Sequence, residues 1–157
     1  MSQDTVLLSI STVEDYIRNL LLKQGYSESD ADIVRDVLMY AELRENNQGI
    51  IKLIAGALKP NPSALDITTV FETPVSAKID GGQKIGMCVL HKSVAMAIEK
   101  ASISGIGIVG CSNYSSATGA LGVWARQIAR AGHIGIVMIQ CAEMVAPYGK
   151  HKYSILT

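Results

Sequence analysis

The tetrapeptide Ile106-Gly107-Ile108-Val109 returns downstream as Ile134-Gly135-Ile136-Val137. Each copy opens an apolar, β-branched run, Ile106 to Gly110 and Ile134 to Ile139. Between them lie a polar loop, Ser112 to Gly119, and a stretch where Leu121, Trp124, Ala125 and Ile128 recur at helical spacing before Gly132. Parallel strands cannot be joined by a tight hairpin, so strand, helix, strand with short joints predicts a right-handed parallel crossover. Continuous apolar strands predict cover on both faces. The echo therefore predicts an α/β layer with two buried strands, over 106–110 and 134–139.

The residues before this unit have a different period. Ser11 and Glu14 read as a capping box, followed by Val13, Tyr16, Ile17, Leu20 and Leu21 on one helical face until Gly25. Ser27 with Asp30 predicts a second cap, and Ala31, Val34, Leu38 and Ala41 form the stripe behind it. The polar run Glu45 to Gly49 interrupts, and Ile50 to Leu58 predicts a short third helix stopped by Lys59-Pro60-Asn61-Pro62. Beyond it, Thr68 to Glu72 and Ser76 to Asp80 are β-prone around Thr73-Pro74. Gly81-Gly82 predicts a turn, and Met87, Leu90, Val94, Ala97, Ile98 and Ala101 a helix ending at Gly105. The expected organisation is an N-terminal helical lobe over 1–60 and an α/β part over 61–157, a mixed α/β (α+β) class.

Composition narrows the function. The 157 residues can bury a substantial core; they are 48% apolar with a formal net charge of zero, which gives nucleic acid or an anionic membrane nothing to bind. No basic-plus-apolar leader and no membrane-length apolar run is visible. Cys88, Cys111 and Cys141 are odd in number and lack Cys-x-x-Cys spacing, which points to free thiols in a reducing cytoplasm. His91, His133 and His151 lack metal-ligand spacing, so no metal is expected.

Three segments can carry chemistry. The loop Ser112 to Gly119 follows the C-terminal end of a predicted parallel strand, the edge where such sheets bind ligands. Its hydroxyls and amide, and the backbone N–H groups at the next helix start, suit a phosphate; Gly119 and Gly122 permit close backbone approach. The alternative is that Ser116 or Thr118 only caps the helix. The second segment gathers Arg44, Asn46, Asn47, Gln48 and Lys52, with Lys52 one helical turn past Gln48. A cation with amides suits a carboxylate, and an ordinary solvated turn is the alternative. The third is Glu143 to Lys150, where Tyr148 can cover a ligand or simply sit in a connecting loop. No His, Cys or carboxylate pair marks a proton-transfer site. The final residues, Tyr153 to Thr157, read as a strand just begun, so the chain is expected to be the first part of a larger design.

From about Thr12 onward the chain resembles the malate/L-lactate dehydrogenase family of NAD(P)-dependent 2-hydroxyacid oxidoreductases, which includes sulfolactate and ureidoglycolate dehydrogenases. Ala41-Glu42-Leu43-Arg44 resembles that family's Ala-Asp-Leu-Arg segment. Ile79-Asp80-Gly81 with Gly86, Ala131-Gly132-His133-Ile134-Gly135-Ile136 and Val145-Ala146-Pro147-Tyr148-Gly149 resemble further markers in order. Thr157 falls on the threonine of Gly-Thr-Asn-Pro. The resemblance implies a sulfolactate-dehydrogenase-like fold, NAD or NADP as cofactor, a small 2-hydroxy or 2-oxo acid substrate, and a homodimer at full length. It implies Asn113, Tyr114, Ser115, Ser116, Thr118 and Gly119 on the cofactor side. It implies Arg44, Asn47, Lys52 and Thr157 on the substrate side, with Gln48 and Lys52 at the catalytic positions.

The departures bear on mechanism. Where the family has Ser-His, associated with proton transfer, this chain has Asn47-Gln48, and glutamine cannot exchange a proton near neutral pH. Lys52 replaces an arginine and keeps the charge without the bidentate fork. The Asn-His-Phe-Gly segment becomes the longer Asn113 to Gly119. Tyr114 is the local candidate for proton transfer and would need a strongly lowered pKa. Two readings follow: an oxidoreductase represented by its N-terminal part, or a non-catalytic or truncated relative that binds ligand or partner without turnover.

Overall fold

A computed structural model describes residues 6–140. Three helices come first: α1 (Ile10–Lys23), α2 (Glu28–Glu42) and the single turn α3 (Ile51–Ile54). Strands β1 (Thr68–Glu72) and β2 (Ser76–Asp80) form a hairpin, followed by α4 (Gly86–Ser104), β3 (Ile108–Ser112) and α5 (Leu121–Arg130). The expectations for Cys141, His151, the loop Glu143 to Lys150 and Tyr153 to Thr157 lie outside the described residues.

Capping explains the starts of α1 and α2. Ser27 caps α2 as its sequence predicts, accepting from the Asp30 N–H at 3.2 Å. The cap of α1 is Ser9 rather than Ser11, accepting from the Thr12 N–H at 3.1 Å. The helix thus starts two residues earlier than a box on Ser11 and Glu14 implies. Gly25 and Gly105 follow α1 and α4 in the left-handed region, φ +96° and +79°, where a Cβ is penalised.

The helical stripes meet in one core. Ile17 and Leu21 of α1, Val34 and Leu38 of α2, and Leu58 are almost fully buried, with Met87 and Leu90 of α4 and Trp124 of α5 in the same cluster. Each large side chain removed from water contributes on the order of 1.5–3 kcal/mol. Two buried polar groups here are answered. The Tyr26 hydroxyl donates to the Leu58 carbonyl at 2.7 Å, and Lys100 Nζ reaches Glu72 Oε1 and the Thr73 carbonyl, both at 2.7 Å. The second of these anchors α4 to the hairpin.

The sheet has the order β1-β2-β3, antiparallel then parallel. The parallel crossover observed is β2-α4-β3, one unit earlier than the echo predicts. Two expectations are corrected here. The first apolar run forms its strand over Ile108–Ser112, not 106–110, and only half of it is covered: Val109 and Cys111 are half-buried, while Ile106 and Ile108 are 52% and 59% exposed. Among the described residues α4 covers one face of the sheet and nothing covers the other. The second run, 134–139, joins no ladder. Ile134, Ile136 and Met138 are exposed while the residues between them are half-buried, and Val137 packs on the core. The period of two is that of a strand, but a strand also needs a hydrogen-bonded neighbour, and none stands beside it among the described residues. No helix among these residues is long and apolar enough to cross a membrane.

Candidate functional site

Parallel pairing sets Asp80, the last residue of β2, beside Ser112, the last of β3. Two loops therefore leave the same sheet edge, 81–85 and 113–119. They zip together through the backbone: Gly81 N–H to Ser112 O at 2.9 Å, Gln83 N–H to Asn113 O at 2.8 Å, Ser115 N–H to Lys84 O and Gly86 N–H to Ser115 O, both at 2.9 Å. Gly86 has no room for more than hydrogen, since a Cβ there would lie 2.9 Å from Thr118 Cγ2 and 3.0 Å from the Ala117 carbonyl.

Asp80 holds the centre of this double loop. Its Oδ1 accepts from the Gly82 N–H at 2.8 Å and from Asn113 Nδ2 at 2.7 Å. The Gly82 bond, then the Asn113 bond, keep the carboxyl below its ordinary pKa. Gln83 Nε2 donates to Asn113 Oδ1. Asn113 sits at φ +56°, a left-handed conformation that asparagine tolerates better than most residues, and its amide is used at both ends by the fold. Gln83 is a residue of this loop pair that motif reading did not single out, and Asp80 entered it only within Ile79-Asp80-Gly81, without a role. The signal was Asp80-Gly81-Gly82, the composition of an Asx turn.

The other loop residues divide by what they touch. Ser116 Oγ donates to the Ala57 carbonyl at 2.6 Å. The Ala57 N–H in turn bonds the Lys52 carbonyl at 3.0 Å, which ties the loop to the segment carrying Lys52. Neither Ser116 nor Thr118 caps α5, whose N-cap is Ala120 with no side-chain acceptor; the Thr118 carbonyl instead receives Trp124 Nε1 at 2.9 Å. Ser115 Oγ is buried and has no hydrogen-bond partner among the described residues. Burial, and secondarily Cys111, raise the Tyr114 pKa, because phenolate is poorly solvated there. That shift runs opposite to the lowered pKa that proton transfer by Tyr114 would need. The close approaches expected at Gly119 and Gly122 are both made by α2. Gly119, at φ +74°, faces Val37, and a Cβ on Gly122 would lie 2.8 Å from the Tyr40 hydroxyl oxygen.

The second segment is a turn stitched by side chains. Gln48 N–H donates to Asn46 Oδ1 at 2.9 Å and Gln48 Nε2 to Asn47 Oδ1 at 3.2 Å. Glu42 Oε2 accepts from the Ile50 N–H at 2.9 Å. Gln48 precedes α3 and Lys52 lies within it, so the two are not on one continuous helix. Arg44 Nη1 donates to the Tyr40 carbonyl at 2.9 Å, and its guanidinium lies 3.8 Å from the Tyr40 ring centroid. Arg126 of α5 lies 5.6 Å from the same ring. Thr157 lies outside the described residues. Among the described residues no group of three or more His, Cys, Asp or Glu side chains is placed to hold a metal ion.

The geometry offers a polar sheet edge at the C-terminal ends of parallel strands, tied through Ala57 to a cationic turn. Comparison with known proteins gives it a context. A malate dehydrogenase of Pyrococcus horikoshii is 37% identical over 142 residues, covering 85% of this chain and 38% of that protein. An L-sulfolactate dehydrogenase of Methanocaldococcus jannaschii is 31% identical over 152 residues, 92% of this chain and 43% of that protein. The solved structure of the Pyrococcus horikoshii malate dehydrogenase superposes with a TM-score of 0.69 at 34% identity, over 78% of this chain and 36% of that one. The chain thus spans about two fifths of the length of these curated relatives. The malate/L-lactate dehydrogenase family model matches residues 8–155, and the chain belongs to that family.

Proposed function

We propose that this chain supplies the substrate-facing and part of the cofactor-facing surface of an oxidoreductase that moves hydride between NAD or NADP and a small 2-hydroxy or 2-oxo acid. The residues 1–60 form its helical lobe and 61–157 the first part of its cofactor-binding unit. The working form is a cytoplasmic homodimer at full length. The observation that supports this reading best is the link between the two candidate segments, Ser116 Oγ to Ala57 O and Ala57 N–H to Lys52 O. It brings a hydroxyl-rich loop at a parallel-strand edge to a segment bearing a cation.

The residues fit the cofactor in part. Ser115 Oγ is an orphaned buried hydroxyl, and the Tyr114 and Thr118 side chains make no hydrogen bond to another described residue, so these three would hold a polar edge of the nicotinamide nucleotide. Asn113 and Ser116, whose polar groups the fold already uses, would shape the loop, and Gly119 would let it turn against α2. When bound, the cofactor supplies the hydride chemistry. Arg44, Asn47 and Lys52, with Thr157, would orient the substrate carboxylate. Gln48 would hydrogen-bond the substrate oxygen without exchanging its proton.

That last point favours a second reading, binding without turnover. Neither Gln48 nor the raised Tyr114 is poised to carry a proton. One experiment separates the two. Nicotinamide absorbance is followed with a panel of 2-oxo acids for the wild-type chain and for Gln48→His. The oxidoreductase reading expects turnover that rises by about 10²-fold or more in the histidine variant, the scale of general acid–base catalysis. Turnover by the wild-type chain, with Asn47 and Gln48 in place, would overturn the second reading; nucleotide binding with no turnover in either form would favour it.

A further inference from the structure

Tyr40 is the meeting point of two arginines from different elements. Arg44, just beyond α2, stacks on its ring at 3.8 Å and is fixed by its bond to the Tyr40 carbonyl, while Arg126 of α5 approaches the ring at 5.6 Å. Both guanidiniums are exposed, and neither forms a salt bridge with a carboxylate among the described residues. The nearby carboxylate of Glu42 is turned to the Ile50 N–H. The Tyr40 hydroxyl reaches the first turn of α5, where the missing side chain of Gly122 makes room for it. That turn begins at Ala120, which has no side chain able to accept from its N–H groups. Two cations, a phenol and a helix start uncapped by any side chain leave positive potential that no carboxylate among the described residues neutralises in a salt bridge.

We infer that Arg44, Arg126 and Tyr40 form an anion-binding site at the start of α5, shaped for a carboxylate or phosphate carried by a ligand. The site extends the substrate-side role proposed for Arg44 by adding a second guanidinium from another element. Its recognition chemistry is independent of hydride transfer. A carboxylate or phosphate matches a guanidinium fork bidentately. Two sources carry that chemistry, the distal carboxylate of a dicarboxylic acid and the phosphate of a nucleotide.

The test is titration of the whole 157-residue chain, read by isothermal calorimetry and by amide and arginine side-chain resonances. The probes are inorganic phosphate, malate, lactate, NADH and NADPH. Phosphate is expected to shift the Gly122 amide and the Arg44 and Arg126 side-chain signals. Arg126→Gln, an exposed change, is expected to weaken phosphate binding about 10-fold, with Arg126→Lys recovering part of it. A dicarboxylate source predicts that Arg126→Gln weakens malate and spares lactate. A nucleotide source predicts that it lowers the preference for NADPH over NADH. Arg44→Gln also removes a contact to the Tyr40 carbonyl, so its melting midpoint is measured alongside. Unperturbed resonances with every probe, or binding by Arg126→Gln equal to wild type, would overturn the site.

Discussion

Asp80 accepts hydrogen bonds from Gly82 and Asn113 at the edge where the two site loops leave the sheet. Both bonds favour the carboxylate, which is why its pKa lies below the ordinary value. A depressed folded pKa contributes stability that is complete above the unfolded value, about 3.9, and is lost as pH falls through the folded one. The Asn113 side-chain amide resonances should therefore be constant at neutral pH and change on acidification below about pH 4. Asp80→Asn should abolish that acid transition; an unchanged titration in the variant would show that Asp80 does not hold Asn113. At the other end of the chain, Ser9→Ala should lower stability to denaturant by about 1 kcal/mol, the usual worth of an N-cap, and Ser11→Ala by much less. The reverse order would restore the box predicted on Ser11. That cap was ambiguous in the sequence because Ser9, Ser11 and Thr12 carry equivalent hydroxyls; in the fold Ser9 Oγ lies 3.0 and 2.7 Å from the other two.

At the scale of elements, α5 links core and site. Trp124 is buried in the core while its indole N–H holds the Thr118 carbonyl at 2.9 Å, so one side chain serves both packing and loop position. Trp124→Ala should cost about 3–5 kcal/mol, measured by chemical denaturation. Gly119→Ala combines a left-handed backbone with a Cβ driven into Val37, and should cost about 1–3 kcal/mol in the same assay. A neutral effect would mean that α2 and the loop are not in contact as described. The helices, the hairpin and the cap at Ser27 were legible because their signals are local: apolar spacing, a hydroxyl three residues from an N–H, glycine at a stop. The burial of the two isoleucine runs was not legible. Apolar character states what a strand can bury, whereas coverage depends on which elements arrive beside it. Ile108 and Ile136 have similar sequences around them but only the first has β2 as a neighbour among the described residues. The Asp80–Asn113–Gln83 knot was hidden for the same reason, since residues about thirty positions apart meet only once β2 and β3 pair.

At the scale of the molecule, the helical segment and the α/β segment share one core, and the two candidate segments are joined through Ala57. Parallel-sheet topology marks the sheet edge as the place to look, and the chain's own residues decide how that edge works. Asn47-Gln48 and a stapled loop stand where the resemblance implies a proton carrier and a simpler turn. The measurement that tests this account most directly is the melting midpoint of the chain titrated with NADH and with NADPH, beside the Thr118→Val variant. Binding to the folded state alone must raise the midpoint once ligand exceeds its dissociation constant, by about 2.7 kcal/mol of stabilisation at a hundredfold excess. The account predicts such a rise for at least one cofactor and a smaller rise in Thr118→Val. A cooperative transition that neither cofactor moves would contradict it.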